Sequence, residues 1–90
     1  MTPEKITELL KESLGSLGDY GSVVAQKLDP NLPLVAQGID SLDVVEVMME
    51  LENLTGVPMD GPVFNILLSD TVAVASSRLS ERLGVSLNRS

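Results

Sequence analysis

DSLDVVEVMMELENL, residues 40–54, is the stretch on which the fold of this chain turns. Asp40 and Ser41 are both good cap residues, no Gly or Pro interrupts the run, and Gly56 and Pro58 close it, so the pattern predicts a helix over Leu42 to Leu54. At roughly 100° per residue, Val44, Val47, Met48, Leu51 and Leu54 fall on one side, the side expected to face a core. Leu42, Val45 and Met49 fall on the other, with Asp43, Glu46, Glu50 and Glu52 around them. A surface helix needs only one apolar stripe, and a central helix buried all round is the plain explanation of two. The acids weigh against it. Asp43 with Glu46, and Glu46 with Glu50, are like-charge neighbours costing about 0.2–0.5 kcal/mol each, and no Lys or Arg on the helix offsets them. Apolar residues ringed by uncompensated acids make a docking surface, steering by charge and holding by Leu42, Val45 and Met49.

Outward from that helix, the same signals place the others. Thr2, Pro3 and Glu4 read as a cap, a first-turn proline and an acid at a helix start; Ile6, Leu9, Leu10, Leu14 and Leu17 then keep helical spacing to about residue 17. Residues 18–39 hold three Gly and two Pro and read as a long connection, with a short helical turn near Tyr20 to Leu28 and with Leu32, Leu34 and Val35 pinned to the core. Gly61 and Pro62 open a short apolar piece, Val63 to Leu68, of one helical turn or two. Ser69 and Asp70 offer caps for a last helix over Thr71 to Leu83, with Val72, Ala75, Leu79 and Leu83 on one stripe and Gly84 as its stop. The tail 85–90 is expected to fray. Ninety residues, 43% hydrophobic with one Tyr, one Phe and no Trp, suit one domain over 1–90 with an aliphatic core, which favours an all-α class.

Charge and composition exclude several functions. The net charge is −7, and between Leu28 and Ser77 there are eight acids and no Lys or Arg. Such a face repels nucleic-acid backbones and anionic lipid surfaces, so neither a nucleic acid nor a membrane is an expected partner, and a protein that binds here should be basic. No apolar run approaches the ~18 residues of a membrane span and Met1 to Lys11 carries no signal-peptide pattern, so a cytoplasmic protein is expected. Without Cys or His the chain lacks thiolate nucleophiles, the commonest general base and the commonest transition-metal ligand, and no metal site is expected. Asp29 and Asn31 do not begin an EF-hand loop, since Pro33 follows and the central Gly and closing Glu are missing. A carboxylate-pair hydrolase is poorly served by so small a bundle.

Ser41 stands at the start of the two-faced helix. Taken alone it is a cap residue, and it has no His to activate it as a nucleophile. If its hydroxyl is special, another enzyme must act on it.

Gly38-Ile39-Asp40-Ser41-Leu42-Asp43, continuing through Val45-Glu46-Val47-Met48-Met49-Glu50-Leu51-Glu52, resembles the Gly-x-Asp-Ser-Leu signature of acyl carrier proteins and related peptidyl carrier domains. Gly56-Val57-Pro58 and Thr71-Val72 extend the likeness to about residues 28–83. The resemblance implies an acyl-carrier-protein-like four-helix bundle with three main helices, a short third and a long first loop. It implies a non-catalytic carrier whose Ser41 receives 4′-phosphopantetheine from coenzyme A through a phosphopantetheinyl transferase, the arm's thiol carrying acyl groups as thioesters. Asp40 matches the acid beside the modified serine, and Leu42, Val45, Glu46 and Met49 match positions that contact basic patches of acyl-loading and synthase enzymes; Asp43, from the ring of acids, joins them in the expected partner surface, and the carrier is expected to act as a monomer. A helix N-terminus should favour the phosphodiester by ~0.3–1 kcal/mol. An acyl chain is expected between helices near Val47 and Leu51. Gly15 to Leu28 and Asp60 to Ser69 depart from housekeeping fatty-acid carriers, while Val63-Phe64 and Thr71-Val72 lean toward polyketide-type carriers. The competing class is an unmodified acidic interaction module in which Ser41 only caps its helix.

Overall fold

Thr2 caps the first helix as its place before Pro3 predicts, its hydroxyl oxygen accepting the Lys5 N–H at 3.1 Å. That helix, α1, spans Pro3–Gly15. Helix α2 follows at Asp19–Gln26, then a 3-10 turn at Leu34–Gln37, α3 at Ser41–Thr55, α4 at Gly61–Ser69 and α5 at Val72–Asn88. The computed structural model describes residues 2–88, with side chains through Gly84, and every regular element among them is helical. The all-α class and the carrier-like bundle are therefore as the sequence implies, with α1, α3 and α5 the long helices and α4 the short one. The fifth helix, α2, occupies what reads in sequence as a connection with one short turn.

Gly21 lets α2 form where it does. A Cβ at this position would lie 2.0 Å from the carbonyl oxygen of Leu14, so α2 crosses the end of α1 closer than any side chain permits. The buried stripes of the long helices meet beneath it: Ile6, Leu10 and Leu14 of α1, Val44, Val47 and Leu51 of α3, and Val72, Ala75, Leu79 and Leu83 of α5. Met48 and Leu54, assigned to the same core side of α3, are only partly covered, and Leu54 is exposed. Each lies three residues from Leu51, so each sits about 60° round the helix from the centre of the stripe, at its margins.

Of the three residues expected to be pinned in the long connection, only Leu34 enters the core, while Leu32 and Val35 are exposed. A 3-10 turn repeats every three residues, so Leu34 and Gln37 share its inner face and Val35 does not. Leu32 is fixed through its backbone instead: its carbonyl accepts the Val72 N–H at 3.1 Å and Gln37 Nε2 at 3.0 Å.

Two ion pairs fasten α4 to α5. Asp60 accepts the Val63 N–H at the start of α4 and meets Arg82 at 3.0 Å, and Asp70 just past its end meets Arg78 at 3.3 Å. Asp70 is thus engaged with Arg78, and the cap of α5 is the Thr71 hydroxyl, which accepts the Val74 N–H at 3.3 Å, in place of the expected Ser69 or Asp70. Helix α5 also runs through Gly84, which has no left-handed backbone and so does not stop it. An interior glycine costs only about 1 kcal/mol against Ala. The fraying expected of 85–90 concerns residues outside those whose side chains are described.

Replacing Gly21 by Ala should destabilise the protein by about 1–3 kcal/mol despite the better helix propensity of Ala, because backbone must move to admit the methyl group. Urea denaturation of wild type and Gly21→Ala measures this, and an unchanged midpoint would contradict the close crossing.

Candidate functional site

Gly38 ends the 3-10 turn with φ 94°, a left-handed conformation that favours glycine, and Ile39 then drops into the core. This anchoring delivers Asp40 to the start of α3. There Asp40 and Asp43 form a reciprocal capping box: the Asp43 N–H donates to Asp40 Oδ1 at 2.8 Å and the Asp40 N–H donates to Asp43 Oδ2 at 3.2 Å. Sequence alone leaves Asp40 and Ser41 as equal candidates for the cap. The structure gives that role to Asp40, so Ser41 takes the first helical position with an exposed side chain, and no hydrogen bond within the described residues engages its hydroxyl.

The second apolar face is where the periodicity puts it. Leu42 is 75%, Val45 43% and Met49 60% exposed, while Val44 and Val47 between them are fully buried. Glu46 stands exposed in their midst. The other acids of the helix are partly engaged: Glu50 accepts from Asn53 Nδ2 at 3.3 Å, and Glu52 accepts the Met59 N–H at 3.2 Å, which ties down the connection into α4.

Tyr20 is the residue that sequence reasoning missed here. Its hydroxyl donates to Asp43 Oδ1 at 2.6 Å across a separation of 23 residues, so α2 is bonded to the first turn of α3 two residues beyond Ser41. No local pattern announces such a contact; the only hint is that this is the one Tyr of the chain, in an otherwise aliphatic protein. The bond pushes the phenol's pKa up to about 12, with burial and the charges of Asp43, Glu46 and Asp40 adding to it. The same bond holds the Asp43 carboxyl below its ordinary value, and the bonds to Asp40 act in the same direction.

A covalently attached phosphate arm fits this place as a tether. The capping box satisfies two of the four orphan N–H groups of the helix start, those of Asp40 and Asp43, and leaves those of Ser41 and Leu42. The expected gain from the helix dipole is offset, however, because a carboxylate a few ångströms away opposes an anion by about 1 kcal/mol even in water, and two carboxylates stand here. An arm on Ser41 would therefore be held by its covalent bond, with little net gain from the helix start. The interior host expected near Val47 and Leu51 is filled, since these side chains are 0% and 1% exposed, and a chain could enter there only by parting α3 from its neighbours. An open groove of about 370 Å³ lies elsewhere, between α2 and the long connection, lined by Val23, Val24, Lys27, Asp29, Leu32 and Gln37. Among the described residues no group of acids is placed to hold a metal ion, and no helix is long and apolar enough to cross a membrane.

Residues 4–73 match the family model of the phosphopantetheine attachment site. No curated protein and no solved structure gives a significant match.

Because Tyr20 keeps its proton up to about 12 in the folded chain against an ordinary 10.0, its bond stabilises the fold in full below pH 10.0 and is lost as the pH climbs through about 12. Across that window wild type should lose stability relative to Tyr20→Phe, and absorbance titration of the single tyrosine should show the raised midpoint. A midpoint at the ordinary value would show that the bond is absent in solution.

Proposed function

This chain belongs to the phosphopantetheine attachment-site family, and we propose that it is an acyl carrier protein whose 4′-phosphopantetheine arm is attached to Ser41 and bears acyl intermediates as thioesters. The observation that carries this reading is the unengaged hydroxyl: capping is done by Asp40 and Asp43, so Ser41 is exposed at the head of α3 with no hydrogen-bond partner for its hydroxyl among the described residues. The same observation weakens the reading of an unmodified module, which gives Ser41 the cap. Carrier domains of this family are non-catalytic. When bound, the arm supplies the thiol that a chain without Cys lacks.

Every further part of the task falls to surfaces. With no His in the chain and no described residue hydrogen-bonded to the Ser41 hydroxyl, the base for its proton would come from the phosphopantetheinyl transferase. Leu42, Val45 and Met49 would hold that enzyme, and later acyl-loading and synthase enzymes, while Asp40, Asp43 and Glu46 steer their basic patches. The carrier would act as a monomer in the cytoplasm. Fatty-acid, polyketide and related specialised biosynthesis all use this chemistry, and the likeness of Val63-Phe64 and Thr71-Val72 to polyketide-type carriers favours a specialised pathway.

Incubation with coenzyme A and a promiscuous transferase should add one phosphopantetheine to wild type and none to Ser41→Ala, read by intact mass spectrometry. Loading of a folded Ser41→Ala variant would remove the assignment. On the surface, Met49→Ala or Glu46→Lys should lower the kcat/KM of loading about five- to tenfold while shifting stability by less than about 0.5 kcal/mol. Loading at the wild-type rate would show that this face is not where the transferase docks.

A further inference from the structure

The exposed apolar surface beside Ser41 does not end at the edge of α3. Helix α2 turns Gly21, Ala25 and the following Leu28 toward the body of the protein and leaves Tyr20 and Val23, three positions apart, each 49% exposed on its outer side. The bond from the Tyr20 hydroxyl to Asp43 joins that side to the first turn of α3. That bond sets the exposed ring of Tyr20 beside the first turn of α3, with Val23, which also lines the groove, one turn further along α2.

We propose that Tyr20 and Val23 of α2 form the second half of the docking surface, and that its occupant is a protein with cations over Asp43 and Glu46 and an apolar patch wide enough to span α2 and α3. This rests on the reading of Ser41 as the attachment point. The tyrosine suits the role for a physical reason. Covering a tyrosine buries a large area, but an unpaired hydroxyl beneath a partner costs about 1–3 kcal/mol. Here the hydroxyl already has its acceptor within the chain, so a partner can cover the ring without stranding a polar group. The bond also fixes the ring before the partner arrives, which lowers the entropy lost on docking.

Charge selects the occupant and bounds its footprint. A second copy of this chain would set Asp43 and Glu46 against the same acids, whereas a basic partner meets them with opposite charge. Lys27, two turns beyond Tyr20 on the same side of α2, is the one cation between residues 12 and 77. It repels a basic surface, so the footprint runs from Leu42 and Tyr20 to Val23 and stops before Lys27.

The test is steady-state loading of the full chain by a purified phosphopantetheinyl transferase with coenzyme A, with a melting curve for each variant. Tyr20→Ala should raise KM for the carrier about five- to tenfold and Val23→Ala about two- to threefold, with kcat within about twofold. Tyr20→Phe keeps the ring but loses its bond and should fall between wild type and Tyr20→Ala, while Val74→Ala, an exposed apolar site on α5, should leave KM unchanged. Wild-type KM for Tyr20→Ala and Val23→Ala overturns the proposal. So does a rise in KM that merely follows a fall in melting temperature, since that assigns a structural role, and Tyr20→Phe and Val23→Ala keep this readable if Tyr20→Ala does not fold. A concentration-dependent wild-type dimer that Tyr20→Ala dissolves would give the face to a second copy and also overturns it. Wild type that gains no mass in the same assay fails the attachment reading itself and takes this inference with it.

Discussion

A helix that starts in solvent must find acceptors for its first N–H groups, and at the head of α3 two aspartates supply them to each other. That exchange between Asp40 and Asp43 is the constraint from which the site follows. It fixes where α3 begins, and so which residues face inward. It releases Ser41 from capping, and it orients the Asp43 carboxylate so that its other oxygen can receive Tyr20. A serine in the cap itself would have its oxygen committed to the backbone. One position further on, the hydroxyl has no partner among the described residues.

The helix can present an unfavourable outer face because its inner face is strongly held. Val44, Val47 and Leu51 are buried completely or nearly so, and burial of such side chains is worth about 1.5–3 kcal/mol each, against about 0.2–0.5 kcal/mol for each like-charge pair outside. The exposed Leu42, Val45 and Met49 and the uncompensated Glu46 can therefore be retained for recognition without endangering the fold. The two pairs from Arg78 and Arg82 sit at the other side of the problem: exposed ion pairs contribute about 0–1 kcal/mol, so they set the placement of α4 more than they stabilise it.

Helix α2 shows how a weak segment acquires a place. Eight residues are too few to be helical alone in water, and no side chain caps its start. Contact replaces propensity: the missing side chain of Gly21 admits α1 against the backbone, and the phenol of Tyr20 reaches across to α3. A segment so held brings an aromatic ring to the edge of the site that α3 defines.

The sequence by itself determined whatever has a short repeat or a short range. Apolar residues every three or four positions gave the inner stripes of α1, α3 and α5 and the outer stripe of α3, and the Asp-Ser pair ahead of an uninterrupted run marked the head of the helix. Thr2 as a cap and the acid-only stretch around Ser41 are equally local. Only the tertiary structure decided between Asp40 and Ser41 as the cap, because both side chains can accept the same N–H and the choice rests on where Ile39 is anchored. It also decided that Leu34 enters the core without Leu32 and Val35, that Thr71 caps α5 while Asp70 meets Arg78, and that α5 passes through Gly84. Last, it placed Tyr20 on Asp43, a contact 23 residues apart that no periodicity encodes, since it exists only when α1 has turned α2 back toward α3.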